Sequence, residues 1–406
     1  MPESLGSPAL LAFSHLRWDF VLQRPQHLLS RAAQTRRVIF WEEPELDSTE
    51  PALRVEPRAA NVWMARPHLP PHFSHAEGEA AQARLLDELL EQFNLRSYVS
   101  WYYTPMALGF TAHLQPHLIV YDCMDELSLF RDAPRELLTR ERELFRRADL
   151  VFTGGQSLYN AKRTQHPRVY AFPSSVDKQH FALARRAVVE PTDQAPIPHP
   201  RLGFFGVIDE RMDLDLVAAV AEARPDWHLV MLGPLAKIDA AILPQRANIH
   251  YLGSKTYPEL PNYLAGWDVA LLPFARNEST RFISPTKTPE YLAGGKPVVS
   301  TRITDVVEPY GNLGLVQIAD TPEDFIRASE YALTRQAKDS QWLARVDHFL
   351  ARLSWDATWE QMAQRIEEAL QAKTRDRERA STVPLHELQK QDGMTVGDNA
   401  LEFEMR

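Results

Sequence analysis

Along this chain, short runs of consecutive apolar residues alternate with segments whose apolar positions recur at helical intervals. In the first half the runs fall at Ala9–His15, Arg37–Trp41, Val62–Arg66, Tyr98–Tyr103, Leu118–Asp122 and Leu150–Thr153. Between them, Gln26–Ala33, Glu77–Phe93 and Arg135–Arg147 place apolar side chains along one helical face. Runs that stay apolar, instead of alternating, predict strands of a parallel sheet covered on both faces. The segment 187–200, rich in proline and polar residues, reads as a linker. The same grammar then restarts with Leu202–Val207, Leu214–Ala223, His228–Gly233, Asn248–Gly253, Leu260–Ala265, Asp268–Phe274 and Lys296–Thr301.

The fold class predicted is α/β, with two doubly wound Rossmann-like domains, 1–186 and 201–335, facing a cleft. Such domains carry their ligand sites at the C-terminal ends of the strands, here turned toward the shared cleft. Ala344–Leu353 and Trp355–Ala372 predict C-terminal helices within 336–373, placed to cross back to the first domain. From 374 to 406 the sequence turns polar and loses periodicity, which predicts a disordered tail, although Leu401, Phe403 and Met405 alternate.

Composition narrows the function classes. With 406 residues the chain exceeds one ordinary core. Its 44% hydrophobic and 24% charged residues are those of a soluble globular protein, and the net charge of −9 gives no whole-chain case for nucleic acid. A single cysteine, Cys123, forms no internal disulfide and favours a reducing compartment. No apolar run approaches the roughly 20 residues that span a bilayer. The start of the chain lacks a basic leader followed by a long apolar stretch, so a cytoplasmic location is expected. Apolar helix faces in the first domain leave room for peripheral contact with the inner face of the membrane, though such faces are more often core.

The stretch Asn277–Ser300 holds the densest candidate chemistry: a loop, a short helix opening near Ser284–Lys287, a stop at Gly294–Gly295 and a buried strand. Pro289 fits the first helical turn, which makes Ser284 or Thr286 the N-cap. The helix start then sets backbone amides, hydroxyls and the Lys287 ammonium together, a combination suited to a phosphate or diphosphate. Glu290, three residues on, shares that face and offers an acceptor for sugar hydroxyls. An ordinary capped helix with a solvated lysine has the same spacing.

In the first half, Asp122 and Asp125 close an apolar strand, placed to orient an acceptor or remove its proton, or else to cap the next element. The loop Ser14–Gln26 adds His15, Trp18 and Arg24, polar and aromatic groups suited to a sugar face, with a core or lid role open for Trp18. His27, His113 and His117 read as packing or solvated residues. There is no cluster of metal ligands, no G-x-x-x-x-G-K-[ST] loop and no G-x-G-x-x-G after a first strand, so neither a metal nor a nicotinamide cofactor is expected.

Four ordered pieces of the second half resemble bacterial GT-B-fold glycosyltransferases, in particular the retaining group called family four or glycosyl transferases group 1. They are Phe204–Asp209, Leu229–Gly233, Asn248–Gly253 followed by Tyr257–Tyr263, and Pro285–Val299. In the first half, HLRWDFVLQRPQHLLSR, IVYDCMDELSLF and FPSSVDKQHF are similar to a bacterial subgroup. The resemblance implies metal-independent transfer of a sugar from a uridine or guanosine diphosphate donor to a polysaccharide, lipid or small-molecule acceptor. Carried over by position, it puts Glu290 on the nucleotide ribose and Thr286 and Lys287 on the diphosphate. It puts the loop Ser254–Tyr257 on the base, and the Gly206–Arg211 loop near the phosphates, with Arg211 as a distal charge. The chain departs from the group at one place. Where an acid is common eight positions before Glu290 stands Phe282, and the nearest upstream acid is Glu278. Two alternatives therefore stay open: a nucleotide-sugar epimerase of the same architecture, and a non-catalytic relative that only binds the nucleotide sugar.

Overall fold

The computed structural model describes residues 7–186 and 189–382. Among these, the first domain is built on eight strands: β1 (Ala9–Phe13), β2 (Val38–Trp41), β3 (Ala52–Ala59), β4 (Val62–His68), β5 (Tyr98–Tyr102), β6 (Leu118–Cys123), β7 (Leu150–Thr153) and β8 (Val169–Ala171). They lie in the order β3-β4-β2-β1-β5-β6-β7-β8, and every pairing is parallel except β3 with β4. The second sheet holds β9 (Arg201–Phe205), β10 (His228–Leu232), β11 (Ile249–Gly253), β12 (Val269–Leu272), β13 (Val298–Thr301) and β14 (Gln317–Ala319), all parallel. Its order is β11-β10-β9-β12-β13-β14. In both sheets the chain reverses direction beside the first strand, between β1 and β5 and between β9 and β12. A crevice forms at such a reversal, because the connections on its two sides leave toward opposite faces.

The strands follow the apolar runs closely. Leu10 to Phe13, Val38 to Phe40 and Leu229 to Leu232 are almost wholly buried, as sheets covered on both faces require. The pattern missed β3, whose alternately exposed residues and Pro57 belong to an antiparallel edge strand. It also missed β8 and β14, each three residues long.

Two segments differ from the linear reading. The 187–200 stretch is not a free linker in its described part. Gln194 is fully buried, donating to the Tyr263 carbonyl (3.0 Å) and accepting from Trp267 Nε1 (2.9 Å), and Ile197 joins the second core. The chain has in fact crossed earlier, since Val176, Phe181 and Ala184 already pack in that core. The final helix, Trp355–Thr382, runs beyond the 373 boundary through residues that suit a helix interior, such as Arg375 and Glu378. The remainder of the predicted tail lies outside the described residues. This helix returns to the first domain: Trp355, Met362, Ile366 and Ala369 pack among Leu10, Leu28 and Val120. Trp355 stacks on His27 with ring centroids 4.6 Å apart. No helix among the described residues is long and apolar enough to cross a membrane.

Candidate functional site

The second domain supplies the floor of the cleft. β9 leads into Gly206, whose φ is +142°, and β10 into Gly233, with φ +139°. A Cβ on Gly233 would stand 1.8 Å from the Gly206 carbonyl oxygen, and one on Gly206 would stand 2.0 Å from Lys287 Cε. Glycine at both positions is what lets the backbone close in and the Lys287 side chain cross it. The short helix Lys287–Ala293 is fastened below. Phe205 N–H donates to Tyr291 Oη at 2.9 Å, and Tyr291 is fully buried. Lys287 is thereby held at the reversal between β9 and β12, its ammonium 5.9 Å from the Phe204 ring centroid.

The start of this helix differs from expectation in one respect. Thr286 occupies the N-cap, but with helical backbone angles (φ −56°, ψ −29°) and no side-chain cap hydrogen bond. A capping side chain needs an extended backbone to reach the first-turn amides. Ser284 instead ties the domains together, its carbonyl accepting from Ser174 Oγ at 2.8 Å.

A cleft of about 410 Å³ brings together Trp18, Arg24, Asp125, Gly206, Arg211, Tyr257, Ser284, Thr286, Lys287 and Glu290. Three expected residues stand elsewhere. Ser254 is exposed outside the cleft lining. His15 also lies outside it; burial, then Lys237, pull its pKa down to about 4, so it is neutral. Asp122 is fully buried beneath it, accepting from Arg24 Nε (3.1 Å) and Nη2 (2.9 Å), while Arg24 Nη1 donates to the Phe172 carbonyl at 2.7 Å. That corrects two readings. Asp122 is screened from any acceptor, and Arg24 is committed to pairing with it. Position along the chain explains the first: Asp122 lies inside β6, a strand buried on both faces, whereas Asp125 lies past its end.

Electrostatics separate the carboxylates. Burial raises Asp125 to about 6, against the opposing pull of Arg211, Arg24 and Lys287. Burial likewise raises Glu290 and lowers Lys287. In all three groups burial disfavours the charged form. Arg211 is clamped along one edge by Asp209 (Nε–Oδ1 3.0 Å, Nη2–Oδ2 2.6 Å) and lies 5.6 Å from the centroid of Phe130, a first-domain ring. Tyr257 stacks on His180 (4.3 Å) and meets His27 edge-on (5.6 Å), so the loop beside the cleft is pinned from both domains. Its buried hydroxyl has no hydrogen-bond partner among the described residues.

The reading by spacing overlooked Asp209, Ser174 and the supports of the Trp18 loop. Glu42, fully buried, accepts from Trp18 N–H at 2.7 Å, and Gln26 donates to the Trp18 and Val21 carbonyls at 2.8 and 2.9 Å. An acid two residues before an arginine was a legible signal for Asp209; the others are brought in by tertiary contact. Phe282 packs against the first domain's core, and Glu278 is exposed and paired with Arg281 at 3.5 Å. Glu278 therefore does not replace the missing acid.

A family model described as glycosyl transferases group 1 matches residues 199–335, the sheet that carries Gly206, Lys287 and Glu290. The chain is a GT-B glycosyltransferase. It is 25% identical over 279 residues to TuaH of Bacillus subtilis (strain 168), whose name assigns it to teichuronic acid biosynthesis as a glycosyltransferase; the match covers 63% of this chain and 69% of that one. In fold, the glycosyltransferase is similar to sucrose-phosphate synthase from Thermosynechococcus elongatus, with a TM-score of 0.69, 13% identity and coverage of 90% of this chain and 100% of that one. It is also similar to an E. coli trehalose-6-phosphate structure bound with UDP-2-fluoro glucose (TM-score 0.65, 14% identity, 89% and 99% coverage). Among the described residues, no group of His, Cys, Asp and Glu could hold a metal ion.

Proposed function

We propose that this glycosyltransferase takes its sugar from a uridine or guanosine diphosphate donor and passes it, without a metal, to a hydroxyl of a polysaccharide, lipid or small-molecule acceptor in the cytoplasm. The observation that carries this reading is Lys287 crossing Gly206 at the reversal of the second sheet. A lysine whose charge is disfavoured by its surroundings gains most from an anion. The departing diphosphate gathers negative charge as the sugar–oxygen bond breaks, and a fixed ammonium with Arg211 nearby stabilises that charge in the transition state. Glu290, on the same helix, holds the ribose hydroxyls, and the Tyr257 loop meets the base. The similar E. coli structure is bound with UDP-2-fluoro glucose, which supports the uridine diphosphate form of this reading.

On the opposite wall, Asp125 orients the acceptor hydroxyl and takes its proton. With a pKa near 6 it is ionised at neutral pH yet basic enough to accept a proton. Trp18 offers the ring against which a sugar face rests.

Thermal unfolding with uridine, guanosine, adenosine and thymidine diphosphates, each with and without a chelator, tests the donor side. A ligand confined to the folded state raises its stability by about 2.7 kcal/mol at a hundredfold excess over Kd. Uridine or guanosine diphosphate should raise the midpoint, and the chelator should leave that rise intact. A rise with neither nucleotide, or only with a divalent ion present, refutes the reading.

A further inference from the structure

Two consecutive glycines, Gly154 and Gly155, follow β7 and open the short helix Gln156–Lys162. Neither has a positive φ, so backbone conformation does not require them. Close approach does, and on two different sides. A Cβ on Gly154 would stand 2.3 Å from the Met124 carbonyl oxygen, in the loop that carries Asp125. One on Gly155 would stand 2.0 Å from Asp305 Oδ2 and 2.9 Å from Ser284 Cβ, both in the second domain. Asp305 Oδ1 also accepts from Ser157 N–H at 2.9 Å, which fixes the start of the helix.

The far end of that helix reaches the same loop. Lys162 is 5% exposed, and its ammonium pairs with Glu126 (2.7 Å), the residue after Asp125, and with Glu141 (2.9 Å). Glu141 also accepts from Tyr121 Oη at 2.8 Å, and Glu126 from Ser128 Oγ at 2.8 Å. The loop is therefore met at Met124 by one end of the helix and held at Glu126 by the other. Asp125 lies between these two contacts, and no hydrogen bond among the described residues reaches its carboxylate. Its place in the cleft is thus set through its neighbours. A buried ion pair is often no more stabilising than well-packed apolar side chains, so stability alone does not account for Lys162.

We infer that Lys162 is a positioning residue for Asp125, gripping the adjacent Glu126 so that the Asp125 carboxylate stays in the buried wall of the cleft. Its importance for transfer rests on Asp125 being the acceptor base proposed above. Losing Lys162 has two effects of opposite sign. Removing a cation disfavours a nearby carboxylate and raises its pKa, whereas releasing the loop to water removes the burial that holds Asp125 up and lowers it. The charges that also act on Asp125, namely Arg211, Arg24, Asp209 and Lys287, lie on other elements and remain in Lys162→Met.

The test follows the Asp125 carboxyl by carbon NMR in the full chain labelled at aspartate, its resonance assigned with Asp125→Asn. The wild type should titrate at about 6. Lys162→Met should titrate at least about one pH unit lower, toward the ordinary aspartate value of about 3.9, and Lys162→Arg should return close to the wild type. A midpoint in Lys162→Met that is unchanged or higher overturns the proposal. Glu126→Gln gives a second reading should Lys162→Met fail to fold, since it leaves the Lys162–Glu141 pair in place. Amide exchange across residues 124–130 should then quicken about tenfold or more, while that of β1 stays as in the wild type. Unchanged exchange at 124–130, or equal quickening in β1, overturns the proposal as well. Turnover of Asp125→Asn keeps the two readings apart. If it matches the wild type while the Lys162→Met midpoint falls as stated, Asp125 is not the base and Lys162 still places it.

Discussion

Gly206 and Lys287 form a pair whose coupling can be worked out from the structure. Alanine at 206 must hold a φ of +142°, a region that costs a non-glycine residue about 1–3 kcal/mol. Its Cβ would also lie 2.0 Å from Lys287 Cε and 2.7 Å from Nζ. Carbon atoms in comfortable contact are about 3.5 Å apart, so the lysine has to withdraw by roughly 1.5 Å. Overpacking of this kind costs about 1–3 kcal/mol more. Gly206→Ala should therefore destabilise the protein by about 2–6 kcal/mol in total. In a Lys287→Ala background the second cost disappears and only the backbone term remains. The two changes should thus couple by at least about 1 kcal/mol in urea unfolding, well above the additivity expected of independent sites. Donor affinity gives a second readout. A hydrogen bond to a charged group contributes about 1.5–3 kcal/mol, or roughly 10- to 150-fold in Kd. Gly206→Ala, Lys287→Ala and the double variant should all lose a similar factor for uridine or guanosine diphosphate, because each removes the same ammonium from the same place. Unfolding energies that add within about 0.5 kcal/mol, or a double variant that binds much more weakly than either single one, would refute the reasoning.

Three further outcomes follow from the same geometry. Asp125→Asn should cut turnover by about 10²- to 10⁴-fold while leaving diphosphate affinity within a few-fold; in the wild type, steady-state rates should rise as pH passes upward through about 6, where Asp125 loses its proton. A flat rate profile from pH 5 to 7 would return Asp125 to a structural role. Glu290→Gln should weaken binding of the nucleoside diphosphate but not of pyrophosphate, which lacks the ribose; equal losses in calorimetry would contradict the ribose assignment. Trp355→Ala removes a side chain that is 1% exposed and stacked on His27, so it should cost about 3–5 kcal/mol in urea unfolding and free the last helix from the first domain. Unchanged hydrogen exchange across Trp355–Thr382 would show that the helix is held by other contacts.

Sequence alone determined most of the elements and their class. Runs such as Leu118–Asp122 and Leu229–Gly233 are apolar throughout, and only a sheet covered on both faces buries every residue of such a run. It also singled out Lys287 and Glu290, because a glycine stop, a first-turn proline and a three-residue spacing are local properties of one helix. Tertiary structure decided which candidates share a space. Asp122 and Asp125 look alike three residues apart, yet one is buried against Arg24 and the other lines the cleft. That depends on a helix packed 98 residues away in sequence. Phe282, which seemed to mark a lost acid, turns into a contact with the first domain's core. The described part of the polar, proline-rich stretch, residues 189–200, becomes part of the second domain because Gln194 meets Trp267 and the Tyr263 carbonyl there. Periodicity reports whether a residue is buried by its own element. It is silent on pairings made between elements, and those pairings set the charge and the accessibility of the residues in the cleft.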